Sequence, residues 1–500
     1  MWNQSIRASC DQPAANWSNR ILILATAGIL FLTLYPFRFD FHILPGGASP
    51  FLLGRSFKTA SSLDGILNVL LFVPFGFGLT AKMRGRGISA RRALVTALAA
   101  GALLSYTIEF LQLYIPERDS GWEDVFTNGG GSLLGSMFYL LAGSFLVRAL
   151  SSVQDTLRSH LQMKGAVAAV LVYLFLWFGI AALLQKETRL SNWKPDAMLV
   201  LGNDGTGEEP WRGQIQSLQI WDKARGENTA PLVDYDFSSA REGLVGPKFI
   251  PNLFWIPRLP VRQESYGGLL LDGTSWTSTE AHVESLIDHL QRTNQFTIHI
   301  VFTAADVASG TGRIVSISNS NGVSNLTLRQ EKGNIYFWFR TPLAMRRALL
   351  EWHVPAGGEH GQRDSLYSYD GANLRVTVDG NNSKLAYPLG PGAVMARLIH
   401  TIRPSELTGF SYFFYAMIFL AGGALFGLLD VPRVAVTGMR FFLLAIAALL
   451  LLSFVLDFIL VGVSGRPLSF GHVALSCVLG IAGYLWAKGD EPLQAHGGVV

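Results

Sequence analysis

The chain alternates between long apolar runs and one extended polar, turn-rich stretch. Apolar runs fall at about 21–37, 65–82, 93–115, 131–147, 166–184, 411–429, 439–463 and 470–487. Each approaches the ~20 residues a helix needs to cross the hydrocarbon core of a bilayer, so the pattern predicts about eight transmembrane helices. Between Leu190 and Arg403 the period shortens to two. Strand candidates alternate apolar and polar positions at 213–221, 296–302, 313–318, 326–329, 335–340 and 374–380, with turn residues between them. Short strands punctuated in this way predict a two-sheet sandwich. The expected fold class is an α-helical integral membrane bundle plus an all-β jelly-roll sandwich.

Composition agrees with that pattern. Charged residues are 15% and hydrophobic residues 49% of the 500 positions, which suits a membrane protein when the apolar residues come in runs. The net charge of +4 is mild and the basic residues sit in particular loops, so they report topology and not nucleic-acid binding. Cys10 and Cys477 are too far apart in pattern for a disulfide framework or a C-x-x-C metal site. Arg7 and Arg20 precede the first apolar run, which lacks a small-residue cleavage site and is expected to stay as an uncleaved helix. Loop 82–92 holds Lys82, Arg84, Arg86, Arg91 and Arg92 without an acid, whereas loop 116–130 holds one arginine and four acids. The positive-inside rule then places the first loop in the cytoplasm and the second outside. Carried through eight spans, it gives a cytoplasmic tail at 1–20, a helical bundle at 21–147, a cytoplasmic loop and fifth helix at 148–189, an extracytoplasmic sandwich at 190–403, a three-helix region at 411–487 and a cytoplasmic tail at 488–500.

Residues 64–135 carry polar groups that lipid penalises. Asp64 and Asn68 lie in the second span, Tyr106, Glu109 and Gln112 share one face of the third, and Arg118, Asp124 and Asn128 follow in the loop and the start of the fourth. Polar side chains in such positions have a functional role as their default explanation. Glu109 and Asp124 have the chemistry of a general acid/base pair, with Arg118 as a fork for an anion or phosphate. Asp64, Asn68, Tyr106, Gln112 and Asn128 are the candidate binding residues, suited to a sugar or peptide amide. A structural reading stands beside this one: Asp64 caps a helix, Glu109 pairs with Arg118 to lock the hairpin, and Asn128 bridges to backbone. No G-x-S-x-G, H-E-x-x-H, P-loop or dinucleotide fingerprint is present, so common hydrolase, zinc and nucleotide chemistries have no support. Catalysis is left open.

Asp64 and Asn68 ahead of L-F-V-P-F-G, E-F-L-Q at 109–112, Arg118, and D-V-F-T-N at 124–128 followed by small residues through Gly135 together resemble the VanZ-like family of bacterial membrane proteins. The resemblance covers roughly residues 20–147. It implies a bacterial inner-membrane protein of the cell envelope, in a family whose founding member is associated with resistance to the glycopeptide teicoplanin. Y-S-Y-D-G-A-N-L-R-V-T-V-D-G at 367–380, with G-G-L-L-L-D-G-T-S at 267–275 and F-T-I-H-I-V-F, resembles laminin-G-like, concanavalin A-like sandwiches. P-W-R-G-Q-I-Q-S-L-Q-I-W-D-K-A at 210–224 resembles the strand that usually closes such a domain, yet here it comes first. Carbohydrate binding is one use of that fold. Trp211, Trp221, Phe337 and Trp338 serve either core packing or sugar stacking. Asp222, Asp234, Asp236 and Asp272 are candidate calcium ligands, with turn and cap roles as the alternative. The expected partners are membrane lipid and an envelope glycan or lipid-linked cell-wall precursor. The expected role is that of an accessory factor for glycopeptide tolerance or exopolysaccharide. The alternative is an enzyme acting on a polyprenyl-linked glycan through Glu109, Asp124 and Arg118.

The last two spans echo the third and fourth. Asp457 precedes Arg466 by the same nine residues that separate Glu109 from Arg118, and His472, Ser476 and Gly483 keep the spacing of Asp124, Asn128 and Gly135. Either this is a degenerate second copy of the hairpin, or two apolar helices with a short loop have aligned by chance.

Overall fold

The computed structural model describes residues 2–35, 62–115, 121–143, 163–224, 230–237, 255–257, 262–264, 267–274, 276–306, 310–346, 352–355, 362–379, 383–399, 407–429 and 439–488, with a few single positions between them. The chain forms two compact units. One comprises Met1–Leu171, Gly422–Thr437 and Ala482–Val500, and the other Val172–Ala421 and Gly438–Ile481. Its long helices are α1 (Trp2–Leu34), α2 (Ser62–Gly85), α3 (Ala90–Gln112), α4 (Trp122–Phe138), α5 (Met163–Lys186), α6 (Leu407–Tyr415), α7 (Ala421–Leu429), α8 (Met439–Ser464) and α9 (Phe470–Lys488). A π-helical turn, Ala416–Leu420, joins α6 to α7.

Among the described residues, seven helical stretches are long and apolar enough to span a membrane, one fewer than the apolar runs suggest. The difference lies at 131–147. There α4 begins earlier, at Trp122, and passes into a π-helical turn at Tyr139–Gly143. Glu123 and Asp124 occupy its first turn, where carboxylates complement the partial positive charge of a helix N-terminus. Hydropathy does not register those residues as part of a span. Large apolar side chains remain exposed along the helices, among them Leu103 at 67%, Phe126 at 65%, Leu141 at 85% and Phe458 at 61%. Water would disfavour so much exposed hydrocarbon, whereas lipid covers it.

Small residues set how closely α2 and α4 approach. A Cβ at Gly131 would lie 2.3 Å from the Val69 carbonyl oxygen, one at Gly135 would lie 2.0 Å from that of Val73, and one at Gly76 would lie 1.9 Å from that of Ser132. Backbone meets backbone along this seam, as small-residue stripes allow in membranes. Lower on the seam, the Thr80 hydroxyl donates to Ser136 Oγ at 2.7 Å. On the other side of α4, Gly101 of α3 leaves room for Ser132. These contacts bring the N-terminal turns of α2 and α4 beside the C-terminal turns of α3.

The polar stretch folds as two antiparallel sheets. In one, the strand order is Trp352–Pro355, Asn334–Phe339, Ser324–Glu331, Thr311–Ser318, Met198–Leu201, Thr277–Thr279 and Trp255–Pro257. In the other it is Ser383–Pro388, Asn373–Val378, Gln362–Tyr369, Phe296–Ala304, Arg212–Trp221, Gly268–Asp272 and Arg262–Glu264, with Val233–Asp236 also paired to Arg212–Trp221. The early strand Arg212–Trp221 is therefore a central strand of its sheet and no late addition at an edge. Inward-facing aromatics fill the space between the sheets; the rings of Phe337 and Tyr367 stack with centroids 4.3 Å apart.

The sandwich is bolted to the end of α5 and to the tip of the α8–α9 hairpin. Gln185 Nε2 donates to Thr188 Oγ1 at 2.8 Å and to the carbonyls of Gly371 and Leu389 at 3.3 and 3.4 Å. The Tyr369 hydroxyl donates to the Thr188 carbonyl at 2.7 Å. At the hairpin tip, Arg189 donates to the Val463 carbonyl at 2.7 Å, Asn294 to that of Ser464 and Gln295 to that of Gly465. Three successive carbonyls left over at the C-terminus of α8 are thus satisfied by sandwich side chains.

Candidate functional site

The polar residues of α2, α3 and α4 meet at one end of that helix trio. Glu109 sits one turn before the end of α3 and is only 2% exposed. Its Oε2 accepts the backbone N–H of Gly121, the residue before α4, at 2.9 Å. The first N–H groups of a helix lack intrahelical partners, so a buried carboxylate there makes a charge-assisted bond and holds the two helices in register. Asp124, in the first turn of α4, accepts from Asn68 Nδ2 of α2 at 2.6 Å. One turn on, Asn128 Nδ2 donates to Ser105 Oγ at 2.9 Å, and the Ser105 hydroxyl donates to the Asp124 carbonyl at 3.3 Å. Tyr106 lies against Trp122, ring centroids 5.9 Å apart.

Asn68, Tyr106, Glu109, Asp124 and Asn128 are therefore gathered as the sequence suggests. Gln112 serves a different contact, donating to the Thr33 carbonyl at 2.8 Å and so tying α3 to α1. Asp64 falls in α2 one turn before Asn68, but its side chain, like the whole of Arg118, lies outside the described residues. Ser105 and Ser132 were not singled out from sequence; the available signal was a hydroxyl one turn before Glu109 and another one turn after Asn128. Asn128 is 3% exposed and Ser132 0% exposed. Asn128 Oδ1 and Ser132 Oγ have no hydrogen-bond partner among the described residues. An unmet buried acceptor costs about 1–3 kcal/mol; Ser132 Oγ is packed against Gly101 at the α3–α4 contact.

The C-terminal hairpin repeats the arrangement at a constant offset. Asp457 of α8 accepts from Arg466 and, through Oδ2, from the backbone N–H of Ser469 at 2.9 Å. Ser469 precedes α9 as Gly121 precedes α4, and each acid reaches a backbone N–H twelve residues on. Ser453 stands one turn before Asp457 as Ser105 stands before Glu109, and both are buried. Gly480 abuts Leu449 where Ser132 abuts Gly101. Ile108, Val125 and Asn128 have buried counterparts in Leu456, Val473 and Ser476. Shared contacts of this kind favour the second-copy reading over chance. The copy differs at the chemistry-bearing positions: His472 replaces Asp124, and its ring lies 4.9 Å from that of Tyr415.

In the sandwich, Trp211 and Phe337 are core residues and Trp221 is buried. Trp338 differs. It and Tyr336 alternate with the core residues Ile335, Phe337 and Phe339, so they occupy the outer face of their strand, both half-buried. The outer face of the other sheet carries a polar row in which Gln219 donates to Asp234 at 2.9 Å, while His299 contacts Gln219 at 3.3 Å and Asp364 at 2.7 Å. Asp272 caps its own turn through Thr274 N and Oγ1, at 2.9 and 2.8 Å. Among the described residues no three His, Cys, Asp or Glu side chains converge, so Asp222, Asp234, Asp236 and Asp272 do not share a centre. Burial pushes the phenols of Tyr367 and Tyr369 well above the ordinary tyrosine range.

Residues 4–143 match the VanZ/LLP1 family, so the N-terminal part of this membrane protein is VanZ-like. No curated protein and no solved structure matches the chain.

Proposed function

We propose that this VanZ-like membrane protein is a binding factor of the cell envelope. Its α2–α4 cluster takes the polar headgroup of a lipid-linked cell-wall precursor, and its laminin-G-like sandwich takes an envelope glycan. The observation that carries this reading is the pair of unmet buried groups, Asn128 Oδ1 and Ser132 Oγ, beside the Asp124–Asn68 bond. Such a set is suited to hydroxyls and amides. In this reading the cluster and sandwich belong to the extracytoplasmic side and both termini to the cytoplasm, as the loop charges favour.

The enzyme alternative needs Glu109 as a free acid or base. Against it stands the recurrence of the same bond in the C-terminal hairpin, where Asp457 caps α9 and pairs with Arg466. The shared spacing supports a locking task for Glu109, which accepts the Gly121 N–H. The test uses the full chain in lipid nanodiscs with an undecaprenyl-pyrophosphoryl muropeptide, read by binding and by mass spectrometry of the lipid. Retention of an unchanged precursor, lost in Asp124→Asn and Asn128→Ala, supports the binding role. Conversion of the precursor that disappears in Glu109→Gln would replace it with the enzyme.

A further inference from the structure

The end of the helix trio opposite the Glu109 cluster holds a cleft of about 580 Å³ between the last turn of α2 and the first turns of α3. Met83, Ile88, Arg91, Arg92, Val95 and Thr96 line it. Its chemistry is divided. Arg91 and Arg92 are exposed and, among the described residues, have no carboxylate partner. Met83 and Ile88 supply apolar walls. On α3, Val95 lies one turn below Arg91 and Thr96 one turn below Arg92. The apolar surface then continues down the same helix through Val95, Leu98 and Leu103, which are 57%, 39% and 67% exposed. The turn between α2 and α3 also carries Lys82, Arg84 and Arg86, and residues 82–92 contain no acid. Arg84 already donates to the Ile88 carbonyl at 2.8 Å, which steadies the turn that shapes the cleft.

We propose that this cleft is a binding site for an anionic phospholipid. Its headgroup phosphate is held by Arg91 and Arg92, and one acyl chain runs along Val95, Leu98 and Leu103. Guanidinium groups pair with phosphate oxygens through forked, charge-assisted hydrogen bonds. A cleft made for a free anion would have no use for the apolar floor or for the exposed ladder beneath it. A zwitterionic lipid would bring a choline or ethanolamine cation to a turn that carries five basic residues and no acid. Charge and shape together select a lipid with net negative charge.

The test is native mass spectrometry of the full chain released from detergent, with dioleoyl phosphatidylglycerol, dioleoyl phosphatidylcholine and inorganic phosphate as probes. Wild-type protein should retain one phosphatidylglycerol in preference to phosphatidylcholine, and millimolar phosphate should not displace it. Arg91→Ala with Arg92→Ala should weaken phosphatidylglycerol binding about 25-fold, taking about fivefold for each cation near an anionic surface. Arg91→Lys with Arg92→Lys should keep most of the affinity. Lys164→Ala, which removes a cation at the start of α5, should leave binding unchanged. Equal retention of both lipids, full displacement by phosphate, or an equal loss in Lys164→Ala would each overturn the proposal.

Discussion

Replacing Asp457 with asparagine tests the hairpin lock. Asp457 and Arg466 are 2% and 5% exposed, so the substitution strands a buried guanidinium. The asparagine carbonyl can still accept the Ser469 N–H, so the loss is that of the ion pair. Breaking a buried pair from one side costs about 3–5 kcal/mol. At about 1.4 kcal/mol per factor of ten, local opening of the α8–α9 hairpin should rise about 150- to 4,000-fold. Cys477 reports that opening: it is buried on α9, with Sγ 3.7 Å from Ser453 Oγ of α8. In a Cys10→Ser background, alkylation of Cys477 tracks the open population when closing outruns the reagent. Adding Arg466→Met removes the stranded charge and should return the rate most of the way. A change of less than about threefold in Asp457→Asn would refute the lock, and with it the argument that Glu109 does the same work.

Three other perturbations have expected outcomes. Gly135→Ala drives a Cβ to 2.0 Å from the Val73 carbonyl oxygen, where neither backbone can yield; it should cost about 1–3 kcal/mol, read as a lower thermal midpoint of the protein in nanodiscs. Gly371 has φ of +92° and a Cβ there would lie 2.1 Å from the Ser464 carbonyl oxygen. Gly371→Ala should therefore undock the sandwich from the hairpin tip, seen as faster hydrogen exchange at Asn294 and Gln295. Tyr367 and Tyr369 hold their protons more tightly folded than unfolded. The stability they contribute is full below the ordinary phenol pKa of about 10 and drains as pH rises beyond it. Sandwich melting should fall above that pH, and less so in Tyr369→Phe.

Much of this molecule was legible in its residue pattern, for physical reasons that also mark where legibility ends. Alternation located Phe296–Ala304, Asn334–Phe339 and Asn373–Val378 because one face of each strand is buried. It could not say that Arg212–Trp221 sits mid-sheet, since neighbour order depends on pairing between distant segments. Asn68, Glu109, Asp124 and Asn128 stood out because lipid makes each of them expensive. Ser105 and Ser132 did not, because a serine in an apolar helix can satisfy itself on its own backbone and so costs little. The early start of α4 was hidden by Glu123 and Asp124, which hydropathy counts against a helix and electrostatics counts towards one.

The most direct test of the whole account separates holding from binding. Affinity for the undecaprenyl-pyrophosphoryl muropeptide and thermal midpoint would be measured side by side for Asn128→Ala and Glu109→Gln in the full chain. Asn128→Ala should weaken binding about tenfold, the equivalent of one hydrogen bond of about 1.4 kcal/mol, beyond the fall in midpoint caused by breaking the buried Asn128–Ser105 bond. Glu109→Gln should lower the midpoint first and binding only in proportion. Asn128→Ala binding as tightly as wild type would contradict the claim that the unmet buried groups of α4 hold a ligand.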